Sequence, residues 1–108
     1  MSDQAKDLDL DSALRVIKEN KTRMVWLGRE PLDYICELLQ VDKGVFIYAD
    51  PNEMLEMKRN VAMKFKKHVF VCYHGVTSNY VAKLLKNKYG VDAYSLKGGV
   101  AGIVGEIF

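Results

Sequence analysis

Residues 68–99 read HVFVCYHGVTSNYVAKLLKNKYGVDAYSLKGG. The opening run HVFVC has nothing polar between His68 and Cys72, and Val and Phe favour extended backbone. It predicts a strand over 68–72. Val81, Ala82, Leu84 and Leu85 gather on one side of a predicted helix over 78–89, and Gly90 sits where the left-handed residue of a helix end is needed. A short strand over 93–96 and a Gly98-Gly99 turn close the stretch. The strands are continuously apolar rather than alternating, which is the mark of a parallel sheet covered on both faces.

The same alternation extends upstream. A helix over 12–20, capped by Asp11 or Ser12, puts Ala13, Leu14, Val16 and Ile17 on one side. A buried strand over 24–27 ends at Gly28, and Trp26 is read as packing within it. Helical spacing of Leu32, Ile35, Cys36 and Leu39 follows Pro31, giving a helix over 31–39. A strand over 44–48 leads to Asp50, which caps a helix over 51–65 with Met54, Met57, Val61 and Phe65 as its inner stripe. Pro31 and Pro51 both suit a first helical turn. The chain is expected to end in a short helix over 100–108. The predicted fold is α/β, one domain over 1–108, with a mostly parallel central sheet flanked by helices on both faces. In such sheets ligands bind at the carboxyl ends of the strands.

At 108 residues, 49% hydrophobic and 28% charged, the chain can bury one core without disulfide or metal staples. Two Cys exclude a disulfide-rich miniprotein, and eight Gly with two Pro exclude a collagen-like chain. No apolar run approaches the ~18 residues that span a membrane. Asp3, Asp7, Asp9 and Asp11 give the start of the chain neither the basic nor the apolar part of a secretory leader. A cytoplasmic protein with reduced thiols and no membrane partner is therefore expected. The net charge is +2. Lys58, Arg59, Lys64, Lys66 and Lys67 precede the decisive stretch, His68 opens it, and Lys83, Lys86 and Lys88 fall within it. The plain reading is solvated helix faces; the functional reading is a mild positive field that draws small anions. No array of basic and stacking aromatic residues suggests nucleic acid as a partner.

Cys72 ends the strongest strand, and Tyr73-His74-Gly75-Val76-Thr77 leads to Ser78, where the next helix is expected to open. A loop curled round the thiol would present free N–H groups at a helix start, an arrangement that stabilises an anion. A thiolate held there can attack a soft electrophile. A small buried Cys that only packs fits the same position, and Thr77 and Ser78 also suit plain helix caps. The residues by themselves leave both readings open.

The segment VFVCYHGVTSNYVAKLLKNKYGVDAYSLKGG resembles the carboxyl half of a rhodanese-like domain, and CYHGVTS is similar to the loops of single-domain thiosulfate sulfurtransferases. Cys72, Gly75, Thr77, Ser78, Ala82, Leu96, Gly98 and Gly99 fall on that family's pattern. The first half departs from it. Leu27-Gly28-Arg29 stands where the family has Asp-Val-Arg, Lys43-Gly44-Val45-Phe46 replaces His-Ile-Pro-Gly-Ala, and Val100 replaces a Trp. The resemblance implies sulfurtransferase activity of the rhodanese type, with Cys72 catalytic and Tyr73, His74, Gly75, Val76, Thr77 and Ser78 as the loop that holds the persulfide. Arg29 is a possible accessory residue. A small sulfur-containing anion such as thiosulfate would be the donor, and cyanide, a thiol or a protein the acceptor. Two displacements imply ping-pong kinetics. No metal or organic cofactor is implied.

Two alternatives share these residues. A non-enzymatic interaction or sulfur-carrier domain is suggested by the altered first half. Cys-dependent phosphatases and arsenate reductases of related fold use a longer loop closed by an Arg that grips phosphate bidentately; here Thr77-Ser78 stands in that place. A zinc site from Cys72, His74, His68 and Cys36 lacks a paired ligand spacing, and Cys36 is read as core. Gly99, Gly102 and Gly105 do not make a dinucleotide fingerprint, since no strand-turn-helix unit surrounds them.

Overall fold

A computed structural model of the chain describes residues 6–105. Five strands, β1 (Lys6–Leu8), β2 (Met24–Trp26), β3 (Phe46–Tyr48), β4 (Val69–Val71) and β5 (Tyr94–Leu96), form one sheet in the order β1-β5-β4-β2-β3. All four pairings are parallel, as expected, and Trp26 lies opposite both Tyr48 and Val71. The helices are α1 (Leu10–Asn20), α2 (Leu32–Leu39), α3 (Pro51–Glu56), α4 (Arg59–Ala62), α5 (Val76–Tyr89) and α6 (Gly99–Val104).

The central strands β2 and β4 each feed two cores. Val25 and Phe70 turn toward Met54, Ala62, Val81 and Leu85 of α3, α4 and α5, and toward Met57 between α3 and α4. Met24, Trp26, Val69 and Val71 turn the other way, toward Ala13, Ile17, Ile35 and Leu39 of α1 and α2, and Val100 of α6 joins them. Because successive residues point to opposite faces, a strand buried on both has no polar position to spare. That is why β2 and β4 read as unbroken apolar runs.

The structure departs from the sequence reading in several places. β1 had no counterpart in it: this edge strand is three residues long, and Lys6 and Asp7 are exposed while Leu8 alone is buried. Helix α1 starts earlier than expected, with Asp9 as its cap, accepting from the Ser12 N–H at 2.8 Å. A turn of 3-10 helix over Lys43–Val45 takes the first part of the strand expected over 44–48. The helix expected over 51–65 is broken. Met57 and Lys58 are extended, and the Met57 carbonyl accepts from the Tyr89 hydroxyl instead of from a following helical turn. The break seats Ala62 in the core and leaves Val61 exposed. The final helix begins at Gly99 and is described to Val104; its expected continuation to residue 108 lies outside the described residues.

Candidate active site

Cys72 follows β4 directly, at the carboxyl end of the sheet. It is 4% exposed and packs with Val25, Leu27 and Phe70. Leu27 is tied alongside by its N–H to the Val71 carbonyl at 2.9 Å. From Cys72 the chain turns through Gly75, whose φ of 86° is one L side chains rarely adopt. A Cβ at Gly75 would also stand 2.9 Å from the Gly98 nitrogen.

Helix α5 then begins at Val76, two residues before the expected start at Ser78, with Gly75 as its cap residue. Ser78 is therefore the third residue of the helix, and its N–H is one that a helix leaves unpaired. That N–H donates to Cys72 Sγ at 3.3 Å, and the Gly75 N–H donates to the same sulfur at 3.1 Å. The sulfur occupies the place of a capping side chain: it accepts the free amides at the positive end of α5. Thr77 and Ser78, candidates for caps in the sequence, do not cap.

Beneath the sulfur lie two buried hydroxyls. The Cys72 thiol donates to Ser78 Oγ at 3.3 Å, and Ser78 Oγ is 2.7 Å from Ser95 Oγ. Both serines are 0% exposed, and they are the buried polar side chains among the described residues. From above, the turn into α6 holds the loop: the Val100 N–H donates to the Cys72 carbonyl at 3.0 Å and the Ala101 N–H to the Tyr73 carbonyl at 2.9 Å. This approach requires Gly99. Its φ is 65°, and a Cβ there would meet the Cys72 and Tyr73 carbonyl oxygens at 2.5 Å.

Tyr73 anchors the loop toward β2. Its ring meets Trp26 edge-on with centroids 5.1 Å apart. Its hydroxyl donates to Glu30 Oε1 at 2.5 Å and accepts from the Arg29 N–H at 2.9 Å. Burial, and then the bond to Glu30, raises the Tyr73 hydroxyl above its ordinary value, so it stays protonated. Trp26 Nε1 and the Tyr48 hydroxyl both donate to the Glu30 carbonyl, which fixes that turn in place.

Cys72, Tyr73, His74, Val76 and Thr77 line one pocket of about 150 Å³. The structure thus brings together the predicted loop residues, with Gly75 and Ser78 as amide donors to the sulfur. Arg29 is not among those lining residues. It touches Tyr73 through its main chain and lines a neighbouring cavity of about 350 Å³ with Tyr48 and Asp50 at the ends of β2 and β3. The basic run 64–67 and His68 precede β4, whereas Cys72 follows it, so those charges sit at the opposite end of the strand. Lys67 is occupied there by Asp92, 3.4 Å away. Cys36 packs in the core on the other face of the sheet from Cys72. The sequence reading overlooked Ser95, Glu30 and the part of Trp26 in seating Tyr73. For Ser95 a signal was present: a hydroxyl in the middle of an apolar strand needs a buried partner.

No family model matches the sequence, and no curated protein matches it significantly. Among solved structures, a rhodanese-related protein from Thermoplasma volcanium superposes with a TM-score of 0.59 at 20% identity, covering 95% of this chain and 94% of that one. A human single-domain sulfurtransferase superposes with a TM-score of 0.57 at 13% identity, covering 88% of this chain and 91% of that one. The fold is rhodanese-like.

Proposed function

We propose that the protein is a sulfurtransferase that carries a sulfane sulfur as a persulfide on Cys72, working in the cytoplasm with thiosulfate or a similar anion as donor. The observation that carries this reading is the pair of N–H groups, from Gly75 and Ser78, aimed at Cys72 Sγ at 3.1 and 3.3 Å. Amide donors at a helix start stabilise a thiolate and favour it as a nucleophile. The thiolate attacks the outer sulfur of thiosulfate. A new S–S bond forms at Cys72, the S–S bond of the donor breaks, and its electron pair leaves with sulfite. The persulfide keeps one negative charge. Its terminal sulfur lies in the pocket of Tyr73, His74, Val76 and Thr77, where Val76 and Thr77 belong to the first turn of α5. A thiophilic acceptor such as cyanide or a thiolate then takes that sulfur, and the electron pair of the broken S–S bond restores the Cys72 thiolate.

The pocket lining contains no Arg or Lys. Phosphate chemistry on a loop of this kind needs a guanidinium to grip the phosphoryl oxygens bidentately, whereas amides and the Thr77 hydroxyl suffice to hold a singly charged persulfide. The test is mass spectrometry after exposure to thiosulfate, resolved to the peptide containing Cys72. One added sulfur is expected on that peptide in the wild type and none in Cys72→Ser, with hydrolysis of p-nitrophenyl phosphate at background. Hydrolysis of the aryl phosphate through Cys72 without a persulfide would overturn the reading. A reactive Cys72 with neither activity would point to the interaction or carrier role.

A further inference from the structure

We propose that Ser95 is a positioning residue for the Cys72 thiolate and acts through the hydroxyl of Ser78. The inference rests on Cys72 being the reactive thiol. Ser95 lies in β5 opposite Phe70 of β4, on the sheet face that packs against α5. Its position is fully buried, where an apolar side chain would be the stable choice and an unpaired hydroxyl is costly. Among the described residues its one side-chain partner is Ser78 Oγ, at 2.7 Å.

The consequence follows from placing the protons. Consider first the thiol. Sγ accepts from the two amides, its S–H donates to Ser78 Oγ, and the Ser78 proton goes to Ser95 Oγ. The Ser95 proton then has no acceptor. Reversing the chain so that Ser95 donates to Ser78, and Ser78 to the sulfur, leaves the S–H without one instead. With Cys72 ionised the surplus disappears. Ser95 donates to Ser78 Oγ, Ser78 donates to the sulfur, and the amides of Gly75 and Ser78 complete its shell. A buried donor without an acceptor carries a desolvation penalty, so the cluster is satisfied in full only around the thiolate. Ser95 makes the Ser78 hydroxyl face the sulfur as a donor.

β2, α3, α4 and α5 turn apolar side chains toward Cys72. The titratable groups of its loop are Tyr73, engaged with Glu30 and the Arg29 amide, and His74, which lines the pocket. Both are unchanged in the variants used below.

The experiment measures alkylation of Cys72 by iodoacetamide across pH in the wild type, Ser78→Ala, Ser95→Ala and the double variant, with persulfide formation from thiosulfate followed in parallel. Ser95→Ala removes one oxygen from a tight site without adding volume, and its fold is checked by circular dichroism. At neutral pH, Ser95→Ala is expected to slow alkylation about tenfold, the scale of one hydrogen bond to a charged group. In alkaline solution, where thiols are ionised regardless, it matches the wild type. The double variant is no slower than Ser78→Ala, because Ser95 has nothing left to act through. Wild-type alkylation in Ser95→Ala at neutral pH overturns the inference. So does a slowing that persists in alkaline solution or adds to that of Ser78→Ala. If the wild type forms no persulfide while the alkylation pattern holds, the sulfurtransferase reading fails and the role of Ser95 stands. A persulfide in the wild type with unaffected alkylation in Ser95→Ala removes the role of Ser95 and leaves sulfur transfer through Cys72 standing.

Discussion

Cys72 and Cys36 are both buried thiols in apolar surroundings, and what separates them is the supply of N–H donors. Burial pushes the Cys36 thiol up, and Asp33 nearby adds to the effect. Cys72 has two amides on its sulfur. Peptide-resolved alkylation at neutral pH should therefore label Cys72 well ahead of Cys36, and sulfite competing for the same amides should slow it. Equal labelling, or no effect of sulfite, would count against the anion cradle. Replacing Cys36 with Ser places a hydroxyl beside Trp26 and Ile35 and should cost about 1–3 kcal/mol, read from urea unfolding, while sulfur transfer persists. At this scale the place of Cys72 at a strand end was legible because the strand before it and the glycine after it constrain one another within a few residues. The partner of Ser95 was not, because Ser78 is remote in sequence and pattern reading pairs no side chains.

At the scale of elements, the loop works because α5 and α6 approach it from two sides. α5 supplies amides to the sulfur, and the turn into α6 supplies amides to the carbonyls of Cys72 and Tyr73. Gly99→Ala tests the second contact. The added methyl would collide with both carbonyl oxygens at 2.5 Å, so the turn must withdraw and release those bonds. A loss of about 2–4 kcal/mol in stability is expected from strain and broken buried hydrogen bonds, together with a clear drop in persulfide formation. A Gly99→Ala protein with unchanged melting temperature and transfer would show that the turn does not hold the loop. The strands β2 to β5 were legible because each lies in a dense apolar run. The interruption after Glu56 was not: Met54, Met57, Val61 and Phe65 keep helical spacing across it. At the break the Met57 carbonyl accepts a long-range bond from the Tyr89 hydroxyl, a partner that sequence spacing does not reveal. β1 was missed for a related reason, since a three-residue edge strand with one buried side chain leaves almost no periodicity to detect.

At the scale of the whole molecule, two cores share one sheet, and the pH dependence of stability reports on groups at its margins. His68 sits just before β4, its ring edge-on to Phe65 at 5.7 Å and its Nδ1 3.1 Å from the Lys66 carbonyl. Burial lowers its protonation below the ordinary value of 6.5, outweighing the favourable backbone contacts, and the Arg23 charge acts in the same direction as burial. The folded protein thus binds this proton less readily than the unfolded chain. Linkage fixes the sign: the stability that His68 allows is complete above about 6.5 and declines as pH falls toward its lower folded value. Asp9 follows the same rule in a separate, more acidic window. The Ser12 N–H it accepts holds its carboxyl below 3.8, so its contribution as the α1 cap is lost only as pH falls below that value. Urea midpoints measured from about pH 8 down to about pH 3 should accordingly fall in two steps. His68→Gln keeps a polar group at the strand entrance but cannot take up the proton, so it should flatten the upper step and leave the lower one. Asp9→Asn keeps a capping oxygen and should flatten the lower step alone. An upper step that survives in His68→Gln would show that His68 is not its source.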